Sequence, residues 1–192
     1  MRIIGGTAAG LILKTPPGFD VRPTPDLVRH AVFNSLGGRV VGSRVLELFA
    51  GTGALGLECL SRGASRVLCV EKSSRHARFI RRNLELTRLP SGQMELRVQD
   101  AFAALMQLAA LNESFDLILA DPPYGEKNVA RRSTSFAQRL LDDTALPTLL
   151  GSDGLLILGH TRRDTLDLPK SWQERKLLRH GDTVMRFLQR EH

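Results

Sequence analysis

Asp121-Pro122-Pro123-Tyr124 holds the residue types most suited to chemistry in this chain. The apolar run Phe115-Asp116-Leu117-Ile118-Leu119 before it reads as a buried parallel strand. Two successive prolines have no N–H to give a ladder, so the chain must leave the sheet at Asp121. That places an acid, rigid carbonyls and an aromatic ring at the C-terminal edge of a strand, where open α/β sheets bind ligands. Such a loop suits a flat group with an N–H donor: ring on Tyr124, amine on Asp121 and the Pro122 carbonyl.

Upstream, Val45-Leu46-Glu47-Leu48-Phe49-Ala50-Gly51-Thr52-Gly53-Ala54-Leu55-Gly56 reads as strand, glycine-rich turn and helix start. Its GxGxxG spelling invites a dinucleotide, with pyrophosphate on the helix N-terminus. Glu47 argues against that, because its charge would oppose a pyrophosphate. A carboxylate there suits a cationic ligand, and S-adenosylmethionine carries a sulfonium, an ammonium and no phosphate. Glu71 ends the next strand, where an acid can take both hydroxyls of a ribose. Asp100 follows the third strand, in place to accept from an adenine amine. Each acid alone is ordinary strand-end chemistry; four on one edge, counting Asp121, with a glycine loop argue for a site.

These acids require a particular scaffold. Strands are expected at Val45–Phe49, Arg66–Val70, Met94–Val98, Phe115–Ala120 and Leu155–Leu158. Helices are expected at Ala54–Arg62, from Ser73 to about Thr87, Ala101–Leu111 and near Ser135–Leu150, the last disturbed by Pro147. Strands alternating with helices give right-handed βαβ units and a mainly parallel α/β sheet. Trp172–Arg179 and Thr183–Leu188 flank His180-Gly181-Asp182 as a closing hairpin. At the other end, Met1 to about Pro16 suggests a small hairpin. A helix follows, with Thr24 as N-cap, Pro25 at its first position and Leu27, Val28, Ala31, Val32, Phe33 and Leu36 on one face.

With 192 residues the chain is expected to form one domain, 1–38 as an N-terminal hairpin and helix extension and 39–192 as a Rossmann-like core. Net charge is +7, which favours a polyanionic partner such as nucleic acid. Cys59 and Cys69 lack CxxC spacing and read as buried apolar residues in a reducing compartment, and no metal cluster is expected among the five histidines. No run is long enough to span a bilayer. The uncharged Ile3–Leu13 stretch lacks a clear cleavage site, so a cytoplasmic protein is expected.

The sequence resembles the RsmD family of bacterial small-subunit ribosomal RNA methyltransferases, within the class I S-adenosylmethionine-dependent methyltransferases. The similarity runs through Met1-Arg2-Ile3-Ile4-Gly5-Gly6, Arg22-Pro23-Thr24 with Asp26, Val28, Arg29, Phe33 and Asn34, then Phe49 to Glu58, Leu60-Ser61-Arg62-Gly63 and Asp121 to Tyr124. The glycine loop and the Asp-Pro-Pro-Tyr turn are shared by many amino-methylating enzymes. The Arg-Pro-Thr and Leu-Ser-Arg-Gly segments point to the narrower family. The resemblance implies a seven-stranded sheet and methyl transfer to the 2-amino group of a guanine in 16S ribosomal RNA, naked or in an assembling small subunit, by a monomer. It implies that Glu47, Phe49, Ala50, Gly51, Gly53, Glu71, Lys72, Asp100 and Ala101 hold S-adenosylmethionine. Asp121, Pro122, Pro123 and Tyr124 would hold the target base. Arg22, Thr24, Arg29, Arg131 and Arg132 are the expected RNA-contacting residues, with Arg139 beside the last two near the site entrance; the arginines Arg75, Arg78, Arg81 and Arg82 read as a solvated helix face. The rivals are an adenine-methylating DNA enzyme, a nicotinamide-dependent oxidoreductase and a non-catalytic RNA-binding module.

Overall fold

A computed structural model of the chain describes residues 1–17, 25–124 and 132–191. Seven strands, β1 Arg44–Leu48, β2 Arg66–Val70, β3 Met94–Arg97, β4 Phe115–Ala120, β5 Leu150–Thr161, β6 Trp172–His180 and β7 Thr183–Arg190, form one sheet in the order β3-β2-β1-β4-β5-β7-β6. The first five are parallel; β7 is antiparallel to both β5 and β6. Five α-helices accompany them: α1 Asp26–Leu36, α2 Ala54–Ser61, α3 Ser74–Thr87, α4 Ala101–Ala110 and α5 Phe136–Asp142. The sheet is the one expected for a class I methyltransferase.

Winding reverses at β1. The chain moves outward to β2 and β3, then returns to place β4 on the other side of β1. A crevice opens at such a switch point, above the C-terminal ends of the two strands. The loops that leave β1 and β4 there are the glycine loop and Asp121–Tyr124.

Apolar side chains of alternating strand residues fill two layers, one on each sheet face. Val45, Val67, Leu117 and Ile157 pack on one side with α1 and α2; Leu46, Leu68, Ile118 and Leu156 pack on the other with α4 and α5. β1, β2 and β4 are buried on both faces, which is why they read as continuous apolar runs.

The N-terminal segment carries one antiparallel bridge, Arg2 with Ile12, supported by Ile3 N to Leu11 O at 3.0 Å and Leu13 N to Met1 O at 3.0 Å. Side-chain bonds join it to α2. Glu58, fully buried, accepts from Ile4 N (2.7 Å) and Arg62 Nε (2.7 Å), and Ser61 Oγ donates to Gly5 O (2.6 Å). The Leu-Ser-Arg-Gly signature is therefore a docking site for the first eight residues.

Several expectations shift. α1 is capped by Pro25, whose ψ of 148° is extended, and begins at Asp26; Thr24 lies outside the described residues. Leu27 is exposed and Arg29 takes a buried place on the inward face. The expected helix over Ser135–Leu150 divides, because Asp143 is extended and its Oδ1 accepts from Ala145 N and Leu146 N (both 2.9 Å) just before a separate 3-10 turn at Leu146–Leu149. β5 starts five residues before Leu155, with a register shift opposite Phe115–Leu117.

Candidate active site

β1 ends in a tight turn with three left-handed residues: Phe49 (φ 55°), Gly51 (φ 57°) and Gly53 (φ 76°). For Phe49 that conformation is uncommon and strained, a feature that gathers at functional sites. It turns the Phe49 ring into a contiguous wall with Phe102 and Phe136, centroids 6.2 and 5.5 Å away. The Arg139 guanidinium lies 4.1 Å over the Phe102 ring.

This wall borders a cleft of about 440 Å³ at the switch point. Phe49, Gly51, Glu71, Lys72, Asp100, Ala101, Asp121 and Pro123 line it, bringing eight of the expected site residues together. Glu71 is held rigidly: Oε2 accepts from Gly51 N at 2.7 Å and Oε1 from Ser73 N at 2.8 Å, with His76 Nδ1 at 3.5 Å. Each oxygen keeps a further lone pair for a ligand hydroxyl. Asp100 caps α4 through Oδ1, to Phe102 N at 3.0 Å, while Oδ2 lies 3.6 Å from Lys72 Nζ.

Across the cleft, Asp121 follows β4. Pro122 is buried, and the half-exposed Tyr124 meets Thr183 hydroxyl-to-hydroxyl at 3.3 Å. The tyrosine thus stands on the β7 side of the rim, beyond the cleft's own lining.

Glu47 does not face the cleft, contrary to its expected role as a ligand to the cofactor. It is 2 % exposed and lies beneath the glycine loop, accepting from Gly56 N (3.0 Å), Leu55 N (3.3 Å) and Cys69 Sγ (3.1 Å). Burial outweighs these bonds and pushes its carboxyl up to about 7. Gly53 serves packing as well as the turn. A Cβ there would sit 3.1 Å from Ile80 Cγ2, so its absence lets α3 close against the loop. Ala50 is buried in the core.

The expected RNA-contacting residues separate. Arg22, Thr24 and Arg131 lie outside the described residues. Arg29 is fully buried, donating through Nη2 to Arg2 O (2.6 Å) and Asp26 Oδ1 (2.7 Å), so it holds α1 to the N-terminal segment and offers nothing to a phosphate. Arg132 pairs with Asp142 (2.5 Å) and lies 3.8 Å from Asp167.

Sequence reasoning missed Phe102, Phe136, His76 and Gln99 as cleft residues; Arg139, expected near the site entrance to meet phosphates, instead lies over the Phe102 ring of the wall. Phe102 lies one residue inside α4 and Phe136 opens α5, each soon after a capping Asp or Ser. That pattern was available, but an aromatic at a helix start reads equally well as core.

The donor set decides between ligands. In a dinucleotide site the turn and helix N–H groups face a pyrophosphate. Here Gly51 N is spent on Glu71, and Leu55 and Gly56 N are spent on Glu47. These amides offer no anion seat, while the carboxylates of the cleft and its aromatic wall suit an uncharged or cationic adenosyl group.

A family model described as conserved hypothetical protein 95 matches residues 1–189. The ribosomal RNA small subunit methyltransferase D of Escherichia coli K12 is 30% identical over 192 residues, covering 100% of this chain and 90% of that protein. The chain belongs to the RsmD family. Another RsmD relative, the ribosomal RNA small subunit methyltransferase D of Haemophilus influenzae, is 34% identical over 135 residues, 70% of this chain and 69% of its own. Among solved structures, a hypothetical protein of Thermus thermophilus superposes with a TM-score of 0.80 at 28% identity, covering 98% of this chain and 99% of that one. The fold is thus matched from end to end, N-terminal segment included.

Proposed function

We propose that this protein methylates the exocyclic 2-amino group of a guanine in small-subunit ribosomal RNA, using S-adenosylmethionine. One observation carries the reading: the adenosyl-type acids Glu71 and Asp100 open on the same cleft as Asp121 and Pro123 of the amine-binding turn, with Tyr124 on the rim beside it. Family membership gives the substrate class.

When bound, S-adenosylmethionine supplies an electrophilic methyl group on a sulfonium. Glu71 would accept from ribose hydroxyls, and its bonds to the Gly51 and Ser73 amides keep it from swinging away. Asp100 would take the adenine amine through its Oδ2, and Phe49, Phe102 and Phe136 would exclude water along the wall.

A guanine amine is a weak nucleophile, because its lone pair is delocalised into the ring. Asp121 and the Pro122 carbonyl accept its two N–H bonds, which turns the lone pair toward the cleft. The paired prolines fix the direction of the Pro122 carbonyl. Asp121 Oδ then takes the proton lost from nitrogen. Tyr124 stacks on the base, which must leave its own stack to reach the turn. Placement of two reactants in this manner is worth several powers of ten in rate.

Glu47 and the glycine-loop amides disfavour a nicotinamide cofactor. Asp-Pro-Pro-Tyr chemistry also serves adenine-N6 methylation, and family membership favours guanine. The working protein is a cytoplasmic monomer in this reading; among the described residues no helix is long and apolar enough to cross a membrane.

Nucleoside mass spectrometry of ribosomal RNA from a strain lacking the gene tests the proposal. One N2-methylguanosine should be missing and should return on adding purified protein. An unchanged nucleoside profile rejects it.

A further inference from the structure

The side of the rim away from the cofactor cleft is built by the C-terminal strands. β5 runs past Asp121, so that Gly159 adjoins its carboxylate, and ends at Thr161. The next residue, Arg162, donates its N–H to Asp182 O (2.7 Å) in the β6–β7 turn, and Thr161 Oγ1 donates to Asp182 Oδ2 (3.1 Å). The turn is thereby clamped to the end of β5. Thr183, the first residue of β7, meets Tyr124, and it pairs with His180 at the end of β6. A ledge along the rim therefore runs from the target turn through Thr183 and His180 to Arg162 and Arg179; because strand residues alternate, Arg179, which pairs with Val184, lies on the opposite sheet face from Thr183 and His180. At about 3.3 Å per residue, Arg162 lies roughly 10 Å along β5 from Gly159.

The charges on this ledge are unspent. Arg162 and Arg179 are exposed, and among the described residues no carboxylate pairs with either. Asp182, the acid of the turn, is already engaged by Thr161 and by Arg163 Nε at 3.6 Å. Elsewhere, Arg29 is taken up in the core, Arg132 on Asp142 and Arg186 on Glu174, while in the cofactor cleft Lys72 lies 3.6 Å from Asp100 and the exposed Arg139 lies over the Phe102 and Phe136 rings. The arginines Arg78, Arg81 and Arg82 are exposed too, but they project from α3, which follows β2, on the cofactor side of the switch point.

We infer that the ledge formed by Arg162 and the β6–β7 turn with Arg179 seats the RNA backbone flanking the target nucleotide, the two guanidiniums on phosphates and Thr183 steadying Tyr124 beneath the base. This rests on the proposed function and assigns its substrate-side surface. Positively charged side chains on phosphates fix register without reading sequence. The base is then presented to Asp121 from a strand held at a set height.

The test is methyl transfer to small ribosomal subunits from a strain lacking the gene, with R162A/R179A, R162K/R179K and, for comparison, R78A/R82A. The double alanine variant should raise KM about ten-fold at low salt and flatten the slope of log affinity against log salt by about 1–2, with kcat and cofactor affinity unchanged. The lysine pair should stay close to wild type, because the contact needs charge. R78A/R82A should behave as wild type. A double alanine variant with wild-type KM and salt slope overturns the ledge, as does a loss confined to R78A/R82A. Wild-type protein inactive on every RNA would instead remove the function itself, a result read without any variant.

Discussion

Gly159 on β5 and the Asp121 carboxylate share one space: a Cβ on Gly159 would overlap Asp121 Oδ1 and stand 2.9 Å from its Cγ. The glycine is there for a neighbour's side chain, since its own φ is not left-handed. Gly159→Ala should fold and bind cofactor normally while displacing Asp121. Misplacing a reacting group by about 1 Å costs on the order of 10²-fold in rate. A kcat within about two-fold of wild type would show that the carboxylate can move without penalty.

Asp121 itself gives the sharper result. Asp121→Ala removes the proposed amine acceptor and proton acceptor together, while Glu71 and Asp100 remain. Single-turnover transfer should fall below detection, and calorimetric titration with S-adenosylmethionine should give a wild-type Kd. Wild-type-like turnover would reject the assignment.

Tyr124 should act through its ring more than its hydroxyl. A base-on-aromatic stack is worth about 1–3 kcal/mol, so Tyr124→Ala should lower kcat/KM for RNA by roughly 5- to 150-fold. Tyr124→Phe loses only the 3.3 Å contact to Thr183 and should cost several-fold at most. Equal losses in the two variants would mean that the hydroxyl, not the stack, is what matters.

Glu47 makes stability depend on pH. Burial raises its folded pKa to about 7 from an ordinary 4.5, so the native state holds its proton where the unfolded chain has released it. The stabilising contribution is complete below about 4.5 and is lost as pH rises toward 7, a change on the order of 3 kcal/mol. Denaturant midpoints measured between pH 5 and 7.5 should fall with rising pH, and Glu47→Gln should flatten that trend. A wild-type profile that climbs across this range would contradict the raised carboxyl.

The aromatic wall should contribute binding energy without chemistry. Phe136→Ala opens one side of the cleft and removes a ring 5.5 Å from Phe49. Cofactor Kd should rise about ten-fold, in line with about 1–1.5 kcal/mol for an aromatic contact, with kcat at saturation preserved. An unchanged Kd would place the ligand away from this wall.

The βαβ alternation, the strand-end acids and the proline-blocked exit at Asp121 are local signals, and they were legible in the chain itself. A parallel strand buried on both faces announces itself as an apolar run, and two prolines end a ladder wherever they occur. These features determined the sheet, its closing hairpin and the edge on which the site lies. What the residues could not reveal is which way a side chain turns once packed. Glu47 and Glu71 look equivalent in the sequence, yet one lies under the loop on Leu55 and Gly56 and the other opens on the cleft. Arg29 and Arg162 are equally basic, yet Arg29 is fully buried and Arg162 stands on the rim. Those outcomes depend on contacts between residues far apart in the chain: Cys69 reaching Glu47, Arg2 reaching Arg29, Thr183 reaching Tyr124. Local pattern sets each element's period and its ends, while burial and hydrogen-bond satisfaction are settled only when the elements meet.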